Sequence, residues 1–420
     1  MDYIKTRKKN NRLYISKMEY FLMFLFVVCC GFTNGELIPA KSYTIIAFGF
    51  FFWTSRKQCM PKFSKELILI VLTMLVVVMV HKYQFGIIDT TLLKYIPLCV
   101  AGYSLVLILG QKFPQAYLDI MYFLAVISLV CYSIMIVAGY VPHIDALKGN
   151  HSNYQGIFLW NVRNGEILRM RNCGPFWEPG AYAGYLLMVG ILYFNEWEQL
   201  WINQRKKVMI LVLALITTFS TQGYIIAFLL ILTRLIFVTT RRNLIAIFVT
   251  FSVTIAAISV LYQTVPFLRE KVDAQLELNS DWESSQSLQS ANRFTTTSLD
   301  LQNIGKNPLW GSTSDPYVLY QDYGVIMEHV EDVGGYGSGS GGTNYIASNG
   351  IVLYLVWLFL CYKSLGIYYG SRLKSFAILV ILFMLGQAEM YNVLILYHTI
   401  PFFGLMRIHE RMKTISLSNV

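Results

Sequence analysis

Apolar runs separated by short polar stretches set the pattern along most of the chain. They fall at about 18–33, 42–54, 66–80, 91–110, 116–140, 178–195, 208–221, 223–239, 243–263, 346–362, 375–388 and 391–406, which predicts about twelve spans. Several are shorter than the ~20 residues an upright membrane helix needs, so boundaries are loose and one or two runs suit re-entrant segments. No long polar turn splits the pairs within 208–239 and 375–406. The fold class this pattern predicts is an all-α polytopic membrane protein with about twelve transmembrane helices and two long extracytoplasmic loops. Its parts are N-terminal membrane helices (1–140), a first outer loop (141–177), central helices (178–263), a large outer loop (264–345) and C-terminal helices (346–420).

Charge fixes the expected sidedness. The basic opening (Lys5, Arg7, Lys8, Lys9, Arg12, Lys17) precedes the first run as in a signal peptide. No clean small-residue cleavage site follows, which predicts an uncleaved first helix. With the N-terminus cytoplasmic, the basic clusters share one side: Arg56 to Lys65, Lys112, Arg205–Lys207, Arg241 and Arg242, Lys363 to Lys374, and Arg407 to Lys413. Both termini are then cytoplasmic.

Composition narrows the class further. A 55% hydrophobic share, 14% charged residues and a mean hydropathy of +0.49 exclude an ordinary soluble chain. The net charge of +10 sits in short loops between spans, which argues for membrane orientation and against nucleic acid as a partner. Of seven cysteines, Cys29, Cys30, Cys99, Cys131 and Cys361 fall in apolar runs, Cys59 in a basic loop and Cys173 outside. Their spacing matches neither a disulfide framework nor a zinc site, so they read as small apolar filler.

Candidate chemistry gathers in the outer loops. Arg169 and Arg171 lead through Gly174 and Phe176 into Glu178-Pro179-Gly180, where proline and an acid suit a helix start. Guanidinium groups at a membrane edge either snorkel toward lipid phosphates or grip an anionic, lipid-attached substrate. In the second loop, Arg293 opens a predicted short helix (Phe294, Leu299, Leu301, Ile304) ended by Gly305 and Pro308. The same loop is acidic, carries a candidate amphipathic helix at Val265–Leu278, and ends in the flexible stretch Gly334–Gly342. His329 lies in Glu328-His-Val-Glu331-Asp332, which reads as a solvated acidic turn rather than a metal site. Glu389 falls at a predicted helix break and is placed to line a cavity from the opposite side.

Taken in order, these features resemble the O-antigen polymerase and ligase family of bacterial envelope glycosyltransferases. The likeness rests on topology and on about forty residues of motif. These are Arg171-x-x-Gly174-x-Phe176-x-Glu178-Pro179, Arg293 with its helix and Asn307-Pro308-Leu309-Trp310-Gly311, Thr343-Asn344 to Gly350, and the helix break Thr217 to Gly223. Many members carry histidine where this chain has Thr343, a departure that leans toward polymerase. The resemblance implies an enzyme of the bacterial inner membrane, inverting and metal-independent, with no cofactor. Its donor would be an undecaprenyl-pyrophosphate-linked oligosaccharide and its acceptor a hydroxyl of a second lipid-linked repeat unit. Arg169, Arg171 and Arg293 would bind pyrophosphate, Glu178 or His329 would take the acceptor proton, and Asn344 and Glu389 would assist binding. Membrane lipid, a chain-length regulator and a flippase are the implied partners. A ligase of finished polymer and a flippase are the alternatives; the absence of repeated halves and of mid-bilayer charge weighs against the latter.

Overall fold

The computed structural model describes residues 14–32, 64–144, 154–163, 171–238, 293–319, 340–389 and 394–407, with isolated helical positions at 252 and 263. The candidate spans at 42–54 and, almost wholly, 243–263 lie outside these residues. So do the Val265–Leu278 helix, Cys59, Arg169 and His329. The described chain is mostly helical: α1 (Lys17–Val28), α2 (Lys65–Phe85), α3 (Thr90–Leu109), α4 (Phe113–Ala138), α5 (Pro179–Leu192), α6 (Trp197–Thr217), α7 (Thr221–Val238), α8 (Arg293–Lys306), α9 (Gly341–Tyr369), α10 (Arg372–Ala388) and α11 (Ile395–Thr399). Three helical stretches are long and apolar enough to cross a membrane: α2, α3 with α4 across a short 3₁₀ turn, and α9. Two shorter apolar helices accompany them, α5 and most of α7.

Sequence accounts for most of these boundaries. Ser16 and Glu19 form a capping box on α1, Ser64 caps α2 and Asp89 caps α3, each satisfying an otherwise orphan amide. Gly86, Gly139 and Gly370 end α2, α4 and α9 in the left-handed conformation. The run 208–239 does split as predicted, between Thr217 and Thr221. The first half belongs to a longer helix that starts at Trp197 and kinks at Gln204, whose side-chain amide exchanges hydrogen bonds with Gln115.

Polar contacts sort the helix ends into two sets. At one end, ion pairs join Lys112 to Glu19, Lys207 to Asp119, Arg234 to Glu198, Lys363 to Glu66 and Arg407 to Glu196. The opposite end carries the junctions that hold the two loops.

Three expectations change. The all-α description misses an antiparallel hairpin in the first loop, β1 (Tyr154–Ile157) and β2 (Trp160–Arg163). Trp160 and Val162 alternate with polar neighbours and bury one face against Cys131 and Met135 of α4. The flexible stretch to Gly342 and the loop end at 345 run too far, because Gly341 and Gly342 already form the first turn of α9. Any side chain at Gly341 would strike the carbonyls of Gly386 and Glu389, so glycine here serves close packing. The run 391–406 is no regular span. Its described residues form the five-residue α11, a 3₁₀ turn around Pro401 and the start of a new helical turn at residue 405, and Leu394 to Gly404 is buried throughout. Proline and glycine interrupt a helical pattern here that apolar content alone suggested.

The second loop enters the bundle at a break in α9. Gly350 takes φ 81°, ψ 161°, a conformation in which L side chains are strained. The break frees helix amides and carbonyls, and the turn after α8 supplies their partners. Ile351 N–H donates to the Pro308 carbonyl at 2.9 Å and Val352 N–H to Leu309 at 3.3 Å. Ser312 and Thr313 N–H donate to the Ala347 and Ser348 carbonyls at 2.9 and 3.0 Å. A Cβ on Gly311 or Gly350 would collide with this crossing backbone. The same turn is tied to the α2–α3 corner, where Trp310 O lies 2.8 Å from His81 Nε2 and Ser314 N–H donates to Asp89 at 2.8 Å.

Asp89 is buried, and burial alone raises a carboxyl pKa. The His81 ring 3.4 Å away and the amides of Leu92 and Ser314 outweigh that cost and hold it below the ordinary carboxylate range. A lowered folded pKa contributes stability that is complete above the unfolded value, about 3.9, and disappears as pH falls through the folded value. Asp89→Asn is therefore expected to destabilise the protein by about 1–3 kcal/mol at pH 7. Unfolding in detergent from pH 7 down to about 3 should show the gap to wild type closing below the ordinary carboxylate value.

Candidate functional site

The first-loop motif folds as a plug over the ends of α4, α5 and α6. Asn172, fully buried, is its hub. Its backbone N–H donates to Thr217 O at 2.9 Å, and its side-chain amide donates to Ser128 and Thr217 hydroxyls at 3.3 and 3.0 Å. Its carbonyl oxygen accepts from the Trp160 indole and from Gly174 N–H. Gly174, at φ 54°, turns the chain across the face of Tyr182, where a Cβ would not fit. Phe176 then stacks on Tyr185 with ring centroids 4.1 Å apart and meets Phe32 edge-on. The segment thus delivers Glu178 and Pro179 to the start of α5, as the sequence predicts.

Arg171 lies at the rim of this plug and is only 8% exposed. Its Nε donates to Thr218 O at 3.3 Å, at the C-terminal end of α6, where a cation also suits the helix dipole. Burial lowers its pKa, and the nearby acidic groups of Cys173, Glu178 and Glu389 act in the other direction. The end of the first loop and the C-terminal break are brought together where Glu389 packs on the first turn of α5.

Glu389 is 6% exposed and follows α10 in extended conformation. Its carboxylate rests against Gly180 in the first turn of α5, where an added Cβ would oblige it to shift. A negative charge is favoured at a helix N-terminus. Glu178, the N-cap of α5, is half-buried and its side chain does not cap its own helix.

Next to it lies a small apolar pocket of about 20 Å³, partly open, between α5, α10 and the broken 395–400 segment. Gly184, Tyr185 and Met188 form one wall and Leu382, Leu385 and Gly386 another. Leu396, Tyr397 and Ile400 close it. Gly180 and Glu389 stand one turn beyond its walls along α5 and α10.

A second polar cluster joins the second loop to the same region. Asp300 of α8, fully buried, accepts from the Thr343 hydroxyl at 3.0 Å and from the Asn344 amide at 3.4 Å. Gln387 accepts from Thr343 N–H at 3.0 Å and donates to its hydroxyl at 3.3 Å. Asn344 is therefore part of the junction between α8 and α9. Arg293 opens α8 as predicted, and its side chain, like Arg169 and His329, lies outside the described residues. Asn172, Asp300 and Gln387 were not expected. Gln387 carried a signal, as an amide inside an apolar run; Asp300 and Asn172 stood among other polar residues and carried none.

No protein-family pattern matches the chain, and no curated protein is similar enough to match it.

The packing of Glu389 on Gly180 can be tested with a pair of glycines. Gly180→Ala is expected to lower stability by about 1–3 kcal/mol through displacement of the carboxylate. Gly305→Ala, in α8 with open space around it, should raise stability by about 0.5–1 kcal/mol. Melting temperatures of the two purified variants check both signs.

Proposed function

We propose that this chain is a bacterial polysaccharide polymerase that transfers a glycan from undecaprenyl pyrophosphate to the hydroxyl of another lipid-linked repeat unit. The end rich in Lys and Arg pairs faces the cytoplasm, and the two loops work at the outer face of the inner membrane, in a bundle of about twelve spans. The observation that carries the reading is a buried cation, Arg171, held at the end of α6 where the first loop turns into α5, with the buried Glu389 carboxylate set against Gly180 at the start of that helix. A polyprenyl pyrophosphate carries a dianionic head that a fixed cation of this kind neutralises.

In this scheme Arg171, with Arg169 and Arg293, neutralises the charge that develops on the leaving pyrophosphate. Fixed cations act strongly in such a dry setting, and each charge-assisted bond is worth about 1.5–3 kcal/mol. Glu178, half-exposed beside Arg171, takes the proton of the attacking hydroxyl, and His329 is the other candidate for that duty. Attack opposite the leaving group inverts the anomeric carbon. Glu389 holds Arg171 in place from the far side. The resemblance to O-antigen polymerases and ligases agrees with this division of labour. Threonine at 343 favours the polymerase over the ligase, since a hydroxyl already committed to Asp300 replaces the family's histidine.

Arg171→Lys keeps the charge but loses the fork that binds phosphate oxygens. It should lower polymer formation at least about tenfold, measured with a defined undecaprenyl-pyrophosphate repeat unit in proteoliposomes. Glu178→Gln should lower it as much with little change in melting temperature, which separates chemistry from folding. Wild-type polymer yield and length from both variants would refute the reading.

A further inference from the structure

Helix α8 docks with its polar side inward. Leu299, Asp300 and Asn303 are buried and Thr297 is half-buried, while Leu301 is 56% exposed. The Thr297 hydroxyl meets that of Ser340 at 2.6 Å, and the Asp300 carboxylate meets Thr343 and Asn344 in the first turn of α9. Carboxylates are favoured at such a terminus, and hydrogen bonds to a charged group are about twice as strong as neutral ones. Beyond Thr343 the chain of contacts continues through Gln387 to the end of α10, two residues from Glu389. Arg293 stands two turns before Asp300 at the opening of the same helix.

We infer that Asp300 is a positioning residue, the pin that holds α8 docked on α9 and so sets where Arg293 meets the donor. The docked state joins this carboxylate and its hydroxyl partner to a single fully buried apolar side chain, Leu299. Removing either partner therefore frees α8 while the helices beneath it stay packed. The donor-grip part of the inference rests on the transferase reading; the pin itself does not.

Two measurements on the full-length protein test it. Hydrogen exchange is compared among wild type, Asp300→Asn, Thr343→Val and Thr343→Ser. Amides of 297–306 should exchange about tenfold faster in the first two variants, with Thr343→Ser near wild type and 353–365 unchanged. In the polymerisation assay, Asp300→Asn should lower kcat/KM for the donor about tenfold. Arg293→Ala should do the same, and the double variant should be no worse than Arg293→Ala alone, because one residue acts through the other. Unchanged exchange in both Asp300→Asn and Thr343→Val overturns the pin. Penalties that multiply in the double variant overturn the route through Arg293. Wild-type protein that extends no donor overturns the transferase reading and the donor-grip role with it, while the exchange result still decides the pin.

Discussion

A helix broken inside an apolar bundle leaves backbone groups that must find partners, and the rest of this structure depends on how α9 finds them. At Gly350 the helix opens, and the Pro308–Thr313 turn enters to donate and accept what the ladder lost. This exchange draws the second loop down onto the bundle. It also brings α8 within reach of Ser340, Thr343 and Asn344, and Trp310 and Ser314 to the α2–α3 corner. The Asn307-Pro308-Leu309-Trp310-Gly311 motif and the Ser348-Asn349-Gly350 motif are therefore two halves of one junction, separated by about forty residues of sequence.

The first loop solves the same problem at the break between α6 and α7. Thr217 and Thr218 end a helix with unspent carbonyls, and Asn172 N–H and Arg171 Nε take them up. Having reached that position, the guanidinium is nearly dry, and carboxylates from α5 and from the end of α10 offset the cost of burying it. One arginine thus anchors the loop to the end of α6 and keeps a cation there. A variant at Arg171 therefore disturbs the loop anchor as well as the charge.

Much of the framework was legible in the sequence for local reasons. Caps at Ser16, Ser64 and Asp89, the proline start of α5 and the α8 boundaries all follow from short-range rules. Arg171, Glu178 and Glu389 were each visible as charge beside apolar runs, but nothing in their spacing said that they meet. Glu389 reaches Gly180 across more than two hundred residues, a long-range contact that only packing decides. Asp300 was illegible for a different reason. A carboxylate in a polar helix reads as solvated, and here the polar face is the one turned inward. The β1–β2 hairpin escaped notice because two four-residue strands leave too short an alternation to register.

The interrupted stretch after α10 depends on its neighbours for its place. A segment with a five-residue helix, a proline turn and a glycine cannot rest alone in lipid, where unpartnered peptide groups are costly. Its slot is prepared by α3 and by the Trp357 indole of α9, which stacks on Tyr397 at 3.9 Å. The segment is therefore held by the helices around it, and through Leu396, Tyr397 and Ile400 it supplies one wall of the apolar pocket in return.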